Sequence, residues 1–486
     1  MNFSGRKAAL HTLGCKVNIY ETDAMRAMLE DAGFEIVPFE EAADVYVINT
    51  CSVTNIADRK SRQMISRARK RNPGAAVVAA GCYVQTALDR TGKSVDADIL
   101  LGSSRKGDLL KELQTWFSAR DAGSSAASQR SVGNVMQEDG CEQLSVPRIE
   151  QHSRAWVKVQ DGCNMFCSYC IIPFARGRIR SRSMEEITQE LEALARSGIR
   201  EVILTGIHLS SYGVDFSGNV EDAYGRQGER RTWQERSRLI DLTERVSGIP
   251  GIERIRLGSL EPTIITEEFA VRLRETGKVC PHFHLSLQSG CDSVLKRMNR
   301  HYTADDYRMR VEILRKVFGH PAVTTDVIVG FPGETEEEFR QTERFLQEIR
   351  LYETHVFRYS MRAGTKAAAM PGQVPEAVKE ERSDILMKLS EKSRREFEVS
   401  WNGCEAEILV EEEARIDDRG YISAPNAGSV RVRAEETAGL LKSGEKLYTG
   451  YTREYVRAFV CSGEDLKGRV IKGKLTVESL PILEYT

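Results

Sequence analysis

Between residues 154 and 360 the chain alternates, six times over, between an apolar run of strand length and an amphipathic stretch of helical period. The strand candidates are "AWVKVQD", "EVILTGI", "ERIRLGSL", "HFHLSLQS", "VTTDVIVGF" and "HVFRYS", separated by helices such as "SMEEITQELEALARSG" and "EEFRQTERFLQEI". Strands joined through helices pair in parallel, which restricts the fold to the α/β class. Six units favour a partial (β/α)6 barrel over a doubly wound sheet, although the period by itself fits either. The first third repeats the pattern on a smaller scale. "AALHTLG", "ADVYVINT" and "AAVVAAG" read as strands of a parallel sheet, and Gly74 closes the helix "IADRKSRQMISRARKRNPG". Near the end, "CEAEILVEEE", "GYISAPNAGSVRVRAEE", "GEKLYTGYTREYVRAFV" and "GRVIKGKLTVESL" alternate at the strand period between Gly and Asn turns, as a small antiparallel β-barrel does. The expected divisions are an N-terminal parallel α/β sheet domain at 1–118, a Ser- and Gly-rich linker at 119–150, the central barrel at 151–390 and the terminal barrel at 391–480. An insertion around 217–238 interrupts the central pattern.

With 486 residues the chain is too long for one core. Its formal net charge of −2 excludes a global basic field, so nucleic-acid affinity would have to rest on local patches. No run approaches the roughly 18 apolar residues that a membrane span requires. The N-terminal segment lacks the apolar core of a secretory signal. These features lead us to expect a cytoplasmic protein whose 11 cysteines are thiols or metal ligands rather than disulfides.

Two sets of cysteines follow strand ends. "DGCNMFCSYC" places Cys163, Cys167 and Cys170 at a C-x3-C-x2-C spacing directly after the first barrel strand, on the face where such barrels do their chemistry. Three thiols suit a 4Fe–4S cluster with one iron left open better than a structural zinc, which would recruit a fourth Cys or His at short spacing. Cys15, Cys51 and Cys82 each come just after one of the three N-terminal strands, so a parallel sheet would gather them at one edge. Cys141, Cys280, Cys291, Cys404 and Cys461 have no ligand spacing.

C-x3-C-x2-C is the signature of radical S-adenosylmethionine enzymes. The stretches "TLGCKVNIYET", "INTCSVTNIADRKSR" and "AAGCYVQ" resemble the N-terminal domain of the methylthiotransferases within that superfamily. "GCKVN" followed by "ET" is similar to the branch that modifies N6-threonylcarbamoyladenosine in tRNA, and the final barrel resembles the RNA-binding TRAM module. The resemblance implies two 4Fe–4S clusters, one on Cys163, Cys167 and Cys170 and an auxiliary one on Cys15, Cys51 and Cys82. It also implies two molecules of S-adenosylmethionine, one the methyl donor and one the radical source, acting on carbon 2 of the adenine beside the anticodon. The partners implied are the tRNA anticodon loop and an electron donor such as flavodoxin or ferredoxin, with the chain working as a monomer and without a membrane. Alternative readings are a methylthiotransferase for another modified tRNA adenosine or a ribosomal-protein aspartate, and a non-catalytic iron–sulfur RNA-binding or redox-sensing module.

Residues at strand ends are candidates for the cofactor. They are Thr205 and Gly206 in "LTG", Ser259 and Glu261 in "LGSLEP", Ser286 and Gln288 in "LSLQSG" and Asp326 in "TTDVIVGFPGE", with Tyr169 between two ligands as an adenine contact. Charge nominates the RNA contacts. Arg62 and Arg69 lie on a basic helix, and Arg176, Arg178, Arg180 and Arg182 follow the triplet. In the final barrel Tyr451 and Arg453, beside Tyr448 and Tyr455, form the kind of aromatic and basic surface that stacks on unpaired bases.

Overall fold

A computed structural model describes residues 3–88, 94–123, 128–146, 153–217, 233–416, 421–424, 428–431, 441–442, 444–478 and 480–485. The N-terminal sheet contains β1 (Lys7–Thr12), β2 (Glu35–Ile36), β3 (Val45–Thr50), β4 (Ala76–Gly81), β5 (Ile99–Leu101) and β6 (Gln129–Ser131). Its order is β2-β1-β3-β4-β5-β6 and every pairing is parallel. β3 and β4 are buried at every residue, as central strands covered on both faces must be. Helices α1 (Lys16–Asp31), α2 (Asn55–Arg71), α3 (Cys82–Thr86) and α4 (Leu109–Asp121) complete this unit. The Thr54 hydroxyl caps α2 by accepting from the Ala57 N–H, and α2 ends at Arg71 with Asn72 as its C-cap, two residues before Gly74. The stretch read as a linker supplies the edge strand β6 and buries Leu144 and Val146 against Tyr20 and Ala24 of α1.

The central unit has six parallel strands. They are β7 (Arg154–Asp161), β9 (Glu201–Gly206), β10 (Arg254–Leu257), β11 (His282–His284), β12 (Ala322–Val329) and β13 (Glu353–Arg358), and the short β8 (Arg180–Ser181) pairs antiparallel with β7. The single bridges Ile255–Val279 and Leu260–Leu285 join β10 to the β11 segment. No pairing joins β13 to β7 among the described residues, so the barrel is partial and open. Ala155, Val157 and Val159 of β7 enter the large core beneath the helices. The strand period therefore turns Arg154, Lys158 and Gln160 toward the lumen. Of the insertion, 218–232 lie outside the described residues, while Trp233–Arg236 form a short helix.

The 25-residue helix Glu376–Ser400 leads into the last unit. Its strands are β14 (Glu405–Ile416), β15 (Tyr421–Ala424), β16 (Gly428–Arg431), β17 (Lys446–Thr452), β18 (Arg457–Ser462), β19 (Val470–Val477) and β20 (Pro481–Glu484). The order β14-β17-β18-β20-β19 closes on itself through a β14–β19 pairing, so this five-strand ring has no open edge, and β15 and β16 extend from β14. β18 and β20 pair in parallel at one position and the other pairings are antiparallel. No helix among the described residues is long and apolar enough to cross a membrane.

Candidate active site between two cysteine sets

β1, β3 and β4 are neighbours in one parallel sheet, and Cys15, Cys51 and Cys82 follow their C-terminal ends. Three residues distant in sequence thereby meet at one edge. Cys15 is the residue before α1 and Cys82 opens α3. Gly14 lies at φ +103°, and a Cβ there would come within 2.8 Å of Cys51 Sγ, so glycine is what lets the Cys15 loop approach Cys51. The Asn18 amide ties the same loop down by donating to the carbonyls of Leu13 (2.7 Å) and Thr50 (3.0 Å).

The second set lies on the loop after β7. Cys163 donates its N–H to the Gly177 carbonyl at 3.0 Å and its Sγ accepts from the Met165 N–H at 3.5 Å. The Ser168 hydroxyl donates to the Arg297 carbonyl at 2.8 Å. Arg300 joins this loop to the strand ends. Its Nη1 donates to Cys167 Sγ (3.3 Å), and its Nη2 donates to Glu261 Oε2 (2.5 Å) and to the Ser286 carbonyl (3.3 Å). Glu261 Oε1 is buried with no hydrogen-bond partner, a free acceptor beside the cysteines.

The two sets are joined through α5 (Ile172–Arg176), which starts two residues after Cys170 and packs on α3. Arg176, at its end, is fully buried. Its Nε donates to Cys82 Sγ at 3.1 Å, Nη2 donates to Asn18 Oδ1 at 2.6 Å, and Nη1 reaches Glu21 and, at 3.2 Å, Asp161. Lys158 bridges the same two carboxylates at 3.0 and 2.9 Å, and Lys106 pairs with Glu21 at 3.1 Å. Burial by itself would raise the Glu21 carboxyl, but Arg176, Lys106 and Lys158 hold it down at about 2.

Burial pushes the Cys51 and Cys170 thiols up to about 12, and Cys82 and Cys167 respectively add to the effect. Bare, these groups keep their protons, so a metal binding there must displace them. Cys15 is exposed, and Cys163 and Cys170 are half-buried.

The candidate cofactor residues divide. Glu261 and the Ser286 carbonyl meet at Arg300, Thr205 is buried, and Gly206 and the exposed Ser259 lie at the strand ends. Gln288, at φ +71°, bonds through its backbone to Asp326 and Ile328. Asp326 Oδ2 stands 3.3 Å from His284 Nε2, and with His355 these residues put three possible ligand atoms within 4.8 Å of one another on adjacent strands. Tyr169 packs with Met298, Phe331 and Tyr359 in a satellite core.

The expected RNA contacts are redistributed more widely. Arg176, Arg180 and Arg182 are buried in the interdomain network, so their charge serves the protein interior. Arg178 is partly exposed, with its guanidinium over the Phe166 ring. Arg69 forms a two-pronged pair with Asp98, whereas Arg62 is exposed on α2 beside Arg59, Lys60 and Arg67. Tyr448 fills the terminal barrel. Tyr451 stacks on Tyr455, which stacks on His282, and Arg453 donates to the carbonyls of Gly277 and Val279. This half-buried turn joins the terminal barrel to the central unit. An aromatic and basic pattern reads the same whether it covers a base or a protein neighbour.

The chain matches the Radical SAM superfamily over residues 157–346 and Uncharacterized protein family UPF0004 over residues 7–102. It is 38% identical over 476 residues to "Threonylcarbamoyladenosine tRNA methylthiotransferase MtaB" of Bacillus subtilis (strain 168), covering 98% of this chain and 95% of the relative. The chain belongs to the radical SAM methylthiotransferases. The Aquifex aeolicus protein of the same name is 38% identical over 87% of this chain and 97% of its own length. "tRNA-2-methylthio-N(6)-dimethylallyladenosine synthase" of Acetivibrio thermocellus is 34% identical over 89% and 86%. Among solved structures, the radical S-adenosylmethionine methyltransferase TsrM of Kitasatospora setae shares the fold, with a TM-score of 0.51 at 19% identity over 75% of this chain and 77% of that one.

Membership implies S-adenosylmethionine and a 4Fe–4S cluster, and the donor set of this methylthiotransferase fits one. Around a tetrahedral zinc, thiolates stand roughly 3.8 Å apart. Neither cysteine set is among the described ligand groups gathered within 4.8 Å. The three thiols of the Cys163 loop, with Arg300 at Cys167 Sγ, suit a cluster held by thiolates. Sequence reasoning did not reach Glu21, Asn18, Lys158 or Arg300. No spacing marks them, and their importance comes from partners 133 to 158 residues away.

Proposed function

We propose that this enzyme replaces the hydrogen on carbon 2 of N6-threonylcarbamoyladenosine, at position 37 of tRNA, with a methylthio group. One observation carries the reading: α5, directly after Cys170, packs on the helix that Cys82 opens, and Arg176 reaches Cys82 Sγ at 3.1 Å, so both cysteine sets border one region. The substrate follows from relatives named for it that match nearly end to end. When bound, two clusters and S-adenosylmethionine supply a one-electron reductant, a methyl donor and a carrier for sulfur.

The chain's own residues hold and shield. Cys163, Cys167 and Cys170 present one site, and Cys15, Cys51 and Cys82 present an auxiliary one. Arg300 keeps the first loop in register with Glu261, whose free Oε1 suits the amino group of S-adenosylmethionine. The exposed basic residues of α2 offer a path for the phosphates of the anticodon stem. A small electron donor such as flavodoxin or ferredoxin would complete the cycle.

Reconstituted anaerobically with dithionite and S-adenosylmethionine, the protein should release 5′-deoxyadenosine, and threonylcarbamoyladenosine in added tRNA should gain the methylthio mark by mass spectrometry. An unchanged nucleoside profile would reject the substrate. Cys51→Ala is expected to keep 5′-deoxyadenosine release and lose the mark. Persisting methylthiolation in that variant would remove the role given to the N-terminal set.

A further inference from the structure

His284, Asp326 and His355 stand on three adjacent strands of the barrel, β11, β12 and β13. Their neighbours Phe283, Val327 and Val356 face the large core beneath the helices, so the strand period turns these three side chains toward the lumen. Register then brings them together. Asp326 lies opposite His355, and His284 lies opposite Thr324, two residues before Asp326. His284 Nδ1 and the Thr324 hydroxyl are hydrogen-bonded at 2.9 Å, which orients the ring and leaves Nε2 to the carboxylate. Nε2 stands 3.3 Å from Asp326 Oδ2, yet it is buried and makes no hydrogen bond. His284 as a whole is only 9% exposed. One ligand atom from each of the three residues lies within 4.8 Å of the others. A buried imidazole nitrogen and a carboxylate oxygen so placed, with no hydrogen bond between them, are completed by a cation that both can bind.

We propose that His284, Asp326 and His355 form a mononuclear site for a divalent transition-metal ion of the zinc class, separate from the two cysteine sets. Imidazole nitrogen combined with a carboxylate is a donor set such ions take, whereas magnesium and calcium prefer oxygen alone. Bonds of about 2.0–2.1 Å at the tetrahedral angle put zinc ligands roughly 3.4 Å apart. The His284–Asp326 pair already stands at 3.3 Å. A swing of the exposed His355 ring closes the third edge. The hydrogen bond between His284 Nδ1 and Thr324 is the outer contact that fixes the tautomer of a metal-binding histidine. His355 lies on β13, the open edge strand of the barrel among the described residues, which gives an ion its way in. Three protein ligands leave a fourth position for an oxygen donor in the lumen, either water or an oxygen of the substrate. Ser286, two residues beyond His284, is where Arg300 ties this strand to Cys167, so that position belongs to the same lumen as the Cys163 loop.

The test dialyses the full-length, cluster-loaded enzyme anaerobically against micromolar zinc. Metal analysis should find about one zinc per chain besides the cluster iron. X-ray absorption at the zinc edge should show nitrogen and oxygen at about 2.0–2.1 Å and no sulfur at about 2.3 Å. His355→Ala should weaken zinc binding by more than about 100-fold, and Thr324→Val, which removes only the partner of His284 Nδ1, by about 10- to 100-fold. Iron per chain equal to that of wild type shows that a variant has folded, and the absorption measurement on wild type needs no variant. Zinc ligated by sulfur, no zinc retained by wild type, or undiminished binding in His355→Ala would overturn the site.

Discussion

Arg176 shows how much one side chain carries here. It meets Cys82, Asn18, Glu21 and Asp161 with no solvent exposure, so every donor has a protein acceptor and both carboxylates depend on it. Removing one member of a buried charged network leaves an uncompensated charge, which costs about 3–5 kcal/mol. Arg176→Ala is therefore expected to lower the unfolding free energy by that order in denaturant titration. Arg176→Lys should recover only part of it, because an ammonium cannot span four acceptors. A change under about 1 kcal/mol would mean that Lys158 and Lys106 suffice for Glu21 and Asp161. At this scale the cysteines were legible and the arginines were not. Spacing after strand ends identified all six thiols as candidates. "ARGRIRSR", by contrast, reads as a basic surface, although three of its four arginines are interior.

At the scale of elements, the joint between β10 and the terminal barrel rests on Glu201. It pairs with Arg254 and Arg256 at 2.9 Å, and these two donate onward to the carbonyls of Tyr451, Thr452 and Arg453. Burial would raise the Glu201 carboxyl, but Arg256, Arg254 and Arg154 hold it down at about 2, below the 4.5 of a free glutamate. Its contribution is thus complete above pH 4.5 and is lost as pH falls through about 2. A shift of that size is worth roughly 3 kcal/mol. Glu201→Gln should show a stability near neutral pH lower by that order and a flatter acid limb in unfolding curves between pH 2 and 7. An acid limb as steep as that of wild type would assign the loss to other carboxylates. Element type was readable in the central unit, where all six barrel strands fall where the apolar runs place them, but not in the stretch read as a linker, which supplies β6. The role of the 451–455 turn was not, because stacking surfaces for a base and for His282 have the same composition.

The whole molecule holds its N-terminal sheet against the barrel at a second point. Arg362, just beyond β13, donates to Asn55 Oδ1 (2.7 Å) and Ser52 Oγ (2.8 Å) and pairs with Asp58 (2.8 Å), which fixes the start of α2 and the loop after Cys51. Arg362→Ala should speed amide hydrogen exchange in both segments. It should also cut methylthio transfer by about tenfold while 5′-deoxyadenosine release persists, if alignment of the two units limits transfer. Equal loss of both activities would place the effect in the barrel itself.

Periodicity and cysteine spacing alone determined the α/β class, the six strand–helix units, the strand-rich terminal region and the six thiols, because each is written in residues close together or in a repeat of fixed period. Only the tertiary structure decided which charges are interior and that α5 meets α3. Those outcomes depend on how separately folded layers are stacked. The free energy of a charge is set by what surrounds it in space, which no local pattern records.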